Sequence, residues 1–198
     1  MCFSFEISIT TFIISWGISL YLLNKKLKLH QKQNIIFLMI FSSMQLADAI
    51  LWYIKMKKNN INYIITSYLI PTLLSLQILY NVFIIQKNTN LYISLATICI
   101  CIYIFYKFNG YSISLCNNKL ASPIWGSNEI KLWEFILFAM IVLYPNWNVF
   151  TIVILFLYIP VNFLIGGSYG SIWCAIANIG SFYYLYKYRN IENKILKY

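Results

Sequence analysis

The sequence predicts an all-α integral membrane protein, in which about seven transmembrane helices pack as one bundle in a single domain. Only 10% of the 198 residues are charged and 61% are hydrophobic, whereas about a quarter of the residues in a soluble domain are charged. The apolar residues also form seven stretches, and a membrane-spanning helix needs about 20 mostly apolar residues. The predicted spans are Phe5–Leu23, Asn34–Ile54, Ile61–Ile85, Leu91–Phe108, Leu132–Tyr144, Trp147–Ile165 and Ser168–Tyr186.

The fifth and sixth predicted spans form a tight helical hairpin around the turn Pro-Asn-Trp-Asn at 145–148. The fifth span is short unless Lys131, Trp133 and Glu134 form its end at the membrane interface. If the hairpin enters the membrane without crossing it, five spans remain. The two termini still lie on opposite sides of the membrane. The longest loop, Asn109–Ile130, contains two glycines and a proline. We expect it to be an irregular connector or a partner-binding loop.

The distribution of Lys and Arg predicts an outside or lumenal N-terminus and a cytoplasmic C-terminus, because cytoplasmic loops carry an excess of these residues. None precedes the first span, whereas the first loop and the basic tail 187–198 hold four each. In this arrangement nine Lys and Arg lie on the cytoplasmic side and six on the other, with Lys55, Lys57 and Lys58 as the opposing evidence. The first segment lacks the basic start of a cleaved signal peptide, so we expect a retained anchor.

The net charge of +10 does not indicate nucleic-acid binding. The lysines cluster at span ends, where they reach lipid headgroups and set the topology. A nucleic-acid surface normally combines arginines with stacking aromatics, and this chain has a single arginine, Arg189. The expected partners are the lipid bilayer and either other membrane proteins or further copies of the chain, and no nucleic acid.

Asp48 is the one ionisable residue well inside an apolar segment. Gln45, Asp48 and Trp52 occupy positions i, i+3 and i+7, so they share one helix face. An intramembrane carboxylate costs about 2.5–3.5 kcal/mol on insertion scales and marks a candidate functional site. Two interpretations stay open. Asp48 binds a cation, a proton or a polar substrate group, or it is protonated or hydrogen-bonded to a neighbouring helix as structural glue.

Polar and aromatic side chains from other segments extend this candidate intramembrane site. Amides inside membranes usually form hydrogen bonds between helices, so both interpretations apply to them as well. The further candidates are Gln77 and Asn81 in the third segment, Asn162 in the sixth, and Trp173 and Asn178 in the seventh.

The five cysteines show no CxxC pair and no zinc-ligand spacing. Because His30 is the only histidine, we expect no metal site and no cofactor. Cys2 and Cys116 fall on the same predicted side of the membrane, which allows one disulfide between them.

The residue inventory excludes several classes of membrane protein. An intramembrane aspartyl protease needs two aspartates, a rhomboid-type protease needs a membrane histidine, and a retinal protein needs a lysine deep in its last helix. The chain has one aspartate, no membrane histidine, and Lys187 only at the end of its last span. The receptor signatures DRY and NPxxY are also absent. We therefore expect no enzymatic activity.

Two stretches carry a resemblance to a known group of proteins. Met44-Gln-Leu-Ala-Asp48-Ala-Ile-Leu-Trp52 and Gly170-Ser-Ile-Trp-Cys174 resemble motifs of uncharacterised multi-pass membrane proteins of large DNA viruses and protists. The resemblance covers two of the seven segments, and its acidic residue followed by tryptophan matches Asp48 and Trp52. It implies a location in a host or virion membrane and no assigned activity.

A membrane enzyme has the least support, because no nucleophile and base can be paired, and it would need Asp48, Glu134 and a lysine in one cavity. Two functions remain. The first is a non-enzymatic membrane scaffold or interaction protein, against which a water-filled polar cavity would count. The second is a small-molecule or ion transporter or channel with its site at Asp48, against which a sealed carboxyl group would count. Sugar transporters of the SWEET type also have seven spans and an outside N-terminus, but their Pro-Gln motif is absent here.

Overall fold

The computed structural model describes residues 4–117, 120–126, 130–144 and 169–189. These residues are mostly helical, as the sequence predicts. The helices are α1 (Phe5–Leu23), α2 (Leu29–Tyr53), α3 (Asn60–Ile85), α4 (Leu91–Lys107), α5 (Leu132–Leu143) and α6 (Tyr169–Tyr188). Two strands between α4 and α5, β1 (Ile113–Asn117) and β2 (Leu120–Ile124), form an antiparallel hairpin.

Three helices, α1, α2 and α3, are long and apolar enough to cross a membrane. Helices α4 and α5 are shorter apolar helices. With 12 residues, α5 is about 18 Å long, against a hydrocarbon core of about 30 Å. The described part of the chain therefore supports a membrane protein, but it does not support the predicted count of seven spans. The predicted sixth span, Trp147–Ile165, lies outside the described residues.

The N-terminal helix packs through small polar side chains. Ser8, Ser15 and Ser19 are fully buried, and they lie seven and four residues apart, so they share the face of α1 that contacts α2 and α6. Small residues let membrane helices approach closely. The opposite face of α1 exposes large apolar side chains such as Ile13 and Leu20, which a bilayer can solvate.

Two π-helical turns interrupt α3, at Ile65–Leu69 and Tyr80–Ile85. The first lies immediately before Pro71, which has no N–H and therefore cannot supply a regular α-helical hydrogen bond. The widened turns carry polar side chains that bond to other parts of the chain: Thr66 and Ser67 reach the loop after α4, and Asn81 reaches α5. A π-helical turn inside an α-helix often marks such special contacts.

The loop between α4 and α5 is not irregular, so that prediction is wrong. Ile113 pairs with Ile124 and Asn117 with Leu120, which leaves two residues to connect the strands. The sequence Ser-Ile-Ser-Leu-Cys at 112–116 alternates polar and apolar residues, and this is the period of a β-strand. The hairpin ends in Trp125, which is buried in the main core.

Two apolar clusters hold the bundle together. The main core joins α2, α3, α4, α5 and α6 with Trp125. A second cluster forms at the other end of α2 and α6, with Leu22, Leu38 and Tyr184 among its members. At this end the first loop meets the end of α6, where Nζ of Lys25 donates to the carbonyl oxygen of Arg189 at 3.3 Å.

Candidate functional site

The carboxyl group of Asp48 is completely buried and contacts two other elements. Its Oδ1 accepts a hydrogen bond of 2.7 Å from Nε1 of Trp125, which follows β2. Its Oδ2 lies 3.3 Å from Sγ of Cys174 in α6. Because Cys174 is disulfide-bonded, this sulfur carries no proton to donate. Within the described part of the chain, Trp125 is therefore the one N–H donor to Asp48.

The backbone around Trp125 explains how a loop residue reaches an intramembrane aspartate. Gly126 has a φ of +81°, and a Cβ atom at this position would lie 3.1 Å from Cα of Phe108. Only glycine allows this close approach at a positive φ without strain. The ring of Trp125 lies against Phe108, with 6.2 Å between the ring centroids. The segment at Trp125 and Gly126 therefore packs against the end of α4, and the indole of Trp125 points toward α2.

A second set of contacts lies one turn from Asp48 and joins α1, α2 and α6. Nε2 of Gln45 donates to the carbonyl oxygen of Cys174 at 3.1 Å. Nδ2 of Asn178 donates to the same oxygen at 3.1 Å, and its Oδ1 accepts from Oγ of Ser15 at 3.1 Å. The structure therefore brings three predicted site residues together, Gln45, Asp48 and Asn178. We call Ser15, Gln45, Asp48, Trp125, Cys174 and Asn178 the Asp48 cluster.

One atom of the Asp48 cluster is unsatisfied. Oε1 of Gln45 is buried and has no hydrogen-bond partner among the described residues. A buried acceptor without a donor costs about 1–3 kcal/mol. The cluster therefore contains a hydrogen-bonded carboxyl group, that of Asp48, and an acceptor without a donor, Oε1 of Gln45.

The other predicted site residues lie elsewhere. Trp52 is half-buried against the main core, and Gln77 is buried in α3. Asn81 is 1% exposed, and its Nδ2 donates to the carbonyl oxygens of Ile141 at 2.7 Å and Tyr144 at 2.8 Å. These carbonyls belong to the last turn of α5, where helical partners are missing. Asn162 and the side chain of Trp173 lie outside the described residues.

A polar cluster that was not predicted from the sequence anchors the loop after α4. Asn62 is fully buried and uses its whole amide. Its Nδ2 donates to the carbonyl oxygens of Lys57 at 3.1 Å and Ser112 at 2.9 Å. Its Oδ1 accepts from the backbone N–H of Ser112 and from Oγ1 of Thr66, both at 2.9 Å. Asn62 lies at the edge of an apolar segment beside other asparagines, so its composition alone did not distinguish it.

A third cluster, also missed, links α4 to α5. Glu134 forms a salt bridge of 3.0 Å with Nζ of Lys107 and accepts a hydrogen bond from the hydroxyl group of Tyr103. Its Oε2 also accepts from the backbone N–H of Lys131 at 2.6 Å. The sequence offered one signal, because a glutamate three residues after the N-cap residue, here Lys131, is typical of a capping box.

The described residues contain no group of His, Cys, Asp or Glu side chains that could hold a metal ion. Cys99 and Cys101 are free thiols, and the partner of Cys174 lies outside the described side chains. Cys2 and the side chain of Cys116 also lie outside them. The chain has five cysteines, so a bond from Cys174 to either of these two would exclude the predicted disulfide between Cys2 and Cys116.

Comparison with known proteins does not assign the chain to a family. No protein-family model, no curated protein and no solved structure matches the chain.

Proposed function

We propose that this chain is a multi-pass integral membrane protein without enzymatic activity, which acts as a scaffold or interaction partner in its membrane. The observation that carries the proposal is the state of Asp48, which is 0% exposed and contacts Trp125 and Cys174. The hydrogen bond from Trp125 joins the loop after β2 to Asp48 on α2. The intramembrane aspartate is then structural glue.

The rest of the Asp48 cluster supports the same conclusion. Its side chains hydrogen-bond to one another and to the carbonyl oxygen of Cys174, and these bonds link α1, α2 and α6. The large cavity next to α4 and α5 is lined almost entirely by apolar residues and does not include Asp48. A transport site near the bilayer midplane would instead be expected to line a cavity that opens to water.

The seven-span arrangement, with the N-terminus outside or lumenal and the C-terminus cytoplasmic, belongs to this proposal. The contact between Lys25 and Arg189 supports a common side for the first loop and the tail. A viral or protist origin in the group that the sequence resembles is a further part of it, and so is a host or virion membrane as the location.

The alternative function is a small-molecule or ion transporter or channel with its site at Asp48. The observation that favours it is the open acceptor of Gln45, one turn from the carboxyl group. An enzymatic function has less support in the described residues, because Glu134 pairs with Lys107 and is not brought together with Asp48.

Reconstitution distinguishes the two functions. Purified wild type and Asp48→Asn are placed in vesicles with a trapped pH dye, and proton, Na⁺ and K⁺ flux is recorded between pH 5 and 8. We expect no flux above that of protein-free vesicles for either protein. Asp48→Asn should still fold, because its amide oxygen can accept the hydrogen bond of Trp125. A channel-forming peptide added at the end shows that the vesicles are tight and that the dye responds. Flux in wild type that Asp48→Asn abolishes would refute the scaffold proposal.

A further inference from the structure

A groove lies between α4 and α5, and Leu74 of α3 also lines it. Its volume is about 340 Å³, which is within the range of small-molecule sites. The walls are apolar over most of the length. They include Leu74, Ile100, Ile104, Phe135, Phe138 and Ile141.

The outer surfaces beside the groove are as apolar as its interior. Ile102 on α4 is 64% exposed, and Leu137 on α5, at the rim, is 49% exposed. Soluble proteins rarely expose contiguous apolar patches of this kind. In a membrane protein this surface faces lipid, so the groove opens to the hydrocarbon of the bilayer. The rod-shaped apolar groups available there are lipid acyl chains.

The polar groups of the groove are confined to one end. Tyr103, Lys107 and Glu134 lie where α4 ends and α5 begins. Trp133 is exposed at the same level, and tryptophan is enriched where a membrane meets water. The groove thus has an apolar body and one polar end at the membrane interface. A lipid has the same arrangement, with an apolar acyl chain and one polar headgroup.

The charge at this end suits a phosphate group. Glu134 is neutralised by Lys107, both being mostly buried, and the exposed side chain of Lys131 lies at the start of α5. Among the described side chains at this end, two lysines lie against one carboxylate, which leaves a net positive charge on them. Basic pockets between membrane helices bind anionic lipid headgroups.

We propose that the groove is a phospholipid-binding site. One acyl chain lies along α4 and α5 over Leu74, and the phosphate group lies at Lys131 and Lys107. This inference goes beyond the scaffold function and does not depend on the role of Asp48.

Photolabelling tests the position of the acyl chain. The full-length protein is placed in vesicles of phosphatidylglycerol and phosphatidylcholine with a trace of a phosphatidylglycerol analogue that carries a diazirine in one acyl chain. After irradiation, labelled peptides are identified by mass spectrometry. We expect the label to concentrate in the peptides that contain Ile100 and Leu137, compared with the outer face of α1.

A matched pair of variants tests whether the groove itself binds the lipid. Ile100→Trp fills the groove, whereas Ile98→Trp makes the same change on the exposed face of the same helix. We expect Ile100→Trp to reduce labelling about tenfold, equivalent to about 1.4 kcal/mol of binding free energy, and Ile98→Trp to leave it unchanged. Thermal unfolding shows that both variants fold. Equal labelling of the two variants would overturn the proposal, and so would groove peptides that remain unlabelled because protein fills the space.

The role of the phosphate is tested by changing the headgroup. Lys131→Gln is expected to weaken labelling by the phosphatidylglycerol probe but not by a diacylglycerol probe with the same diazirine chain. Lys28→Gln, at the start of α2, is the control for a lost surface charge. Equal loss with both probes, or no loss with either, would contradict a phosphate at this end.

Discussion

The Asp48 cluster and the cluster around Asn62 each contain a buried side-chain amide, and the two amides differ in how many hydrogen bonds they form. Asn62 makes two donor and two acceptor hydrogen bonds, which is the full capacity of a side-chain amide. Gln45 makes one donor bond and leaves its oxygen open. Asn62 bonds to backbone groups of two connecting segments, Lys57 and Ser112, whose N–H and C=O groups have no regular partners in a helix.

This difference in hydrogen bonding indicates different structural roles for Asn62 and Gln45. Buried backbone groups must be paired, since each one left unpaired costs free energy comparable to a lost hydrogen bond. Asn62 pairs such groups in the chain that leads into the hairpin. Its removal therefore takes hydrogen-bond partners from several backbone groups at once. Gln45 bridges two helices whose backbones are already paired internally. It adds a contact between α2 and α6 but does not complete either helix.

The largest expected effect is therefore at Asn62. In Asn62→Ala the carbonyl oxygens of Lys57 and Ser112 lose a donor, and the N–H of Ser112 keeps only Oγ1 of Thr66 as its acceptor. We expect a loss of about 3 kcal/mol in unfolding free energy, since each unsatisfied buried group costs about 1–3 kcal/mol. The measurement is reversible unfolding in mixed micelles. Asn60→Ala, at an exposed site of the same helix, is the control and should change stability by less than about 0.5 kcal/mol. Equal values for the two variants would show that the Asn62 contacts carry no stability.

The smallest expected effect is at Gln45. Gln45→Leu removes one interhelical hydrogen bond, and such bonds are worth about 0.6 kcal/mol on average in membrane proteins. The same change removes an unsatisfied buried acceptor and keeps an apolar side chain of similar length. We expect a net change within about 1 kcal/mol in either direction, measured by unfolding in the same micelles. A loss as large as that of Asn62→Ala would mean that Oε1 has a partner, such as a bound cation or water, and would strengthen the transport alternative.

Much of the helical architecture could be predicted from the apolar pattern. The start of α1 and the end of α3 coincide with the predicted bounds, because the change from apolar to polar residues is sharp there. Helix α2 begins five residues earlier than predicted, at Leu29, since a helix can continue into polar residues outside the apolar segment. The β-hairpin was missed because a search for apolar spans overlooks a short alternating pattern.

The candidate site was predictable in part. Asp48, Gln45 and Asn178 stand out as polar residues in apolar segments, and the structure brings them together. Their partners do not stand out in the same way. Trp125 lies in a loop, and its indole reaches Asp48 only because the hairpin folds back over Phe108. Asn81 was placed in a midplane site, but it caps the last turn of α5, since orphan carbonyls of a neighbouring helix cannot be seen in the sequence.

The most direct test of a structural role for Asp48 is a double-mutant cycle between Asp48 and Trp125. Unfolding free energies are measured for wild type, Trp125→Phe, Asp48→Leu and the double variant. We expect Trp125→Phe to destabilise the wild type by about 2 kcal/mol, because it leaves the buried carboxyl group without a donor. It should cost much less when Leu replaces Asp48, giving a coupling energy of about 1–2 kcal/mol. Trp133→Phe, on the exposed face of α5, should show no coupling. Additive effects of Trp125→Phe and Asp48→Leu would contradict the account, because the carboxyl group would then not hold the hairpin to α2.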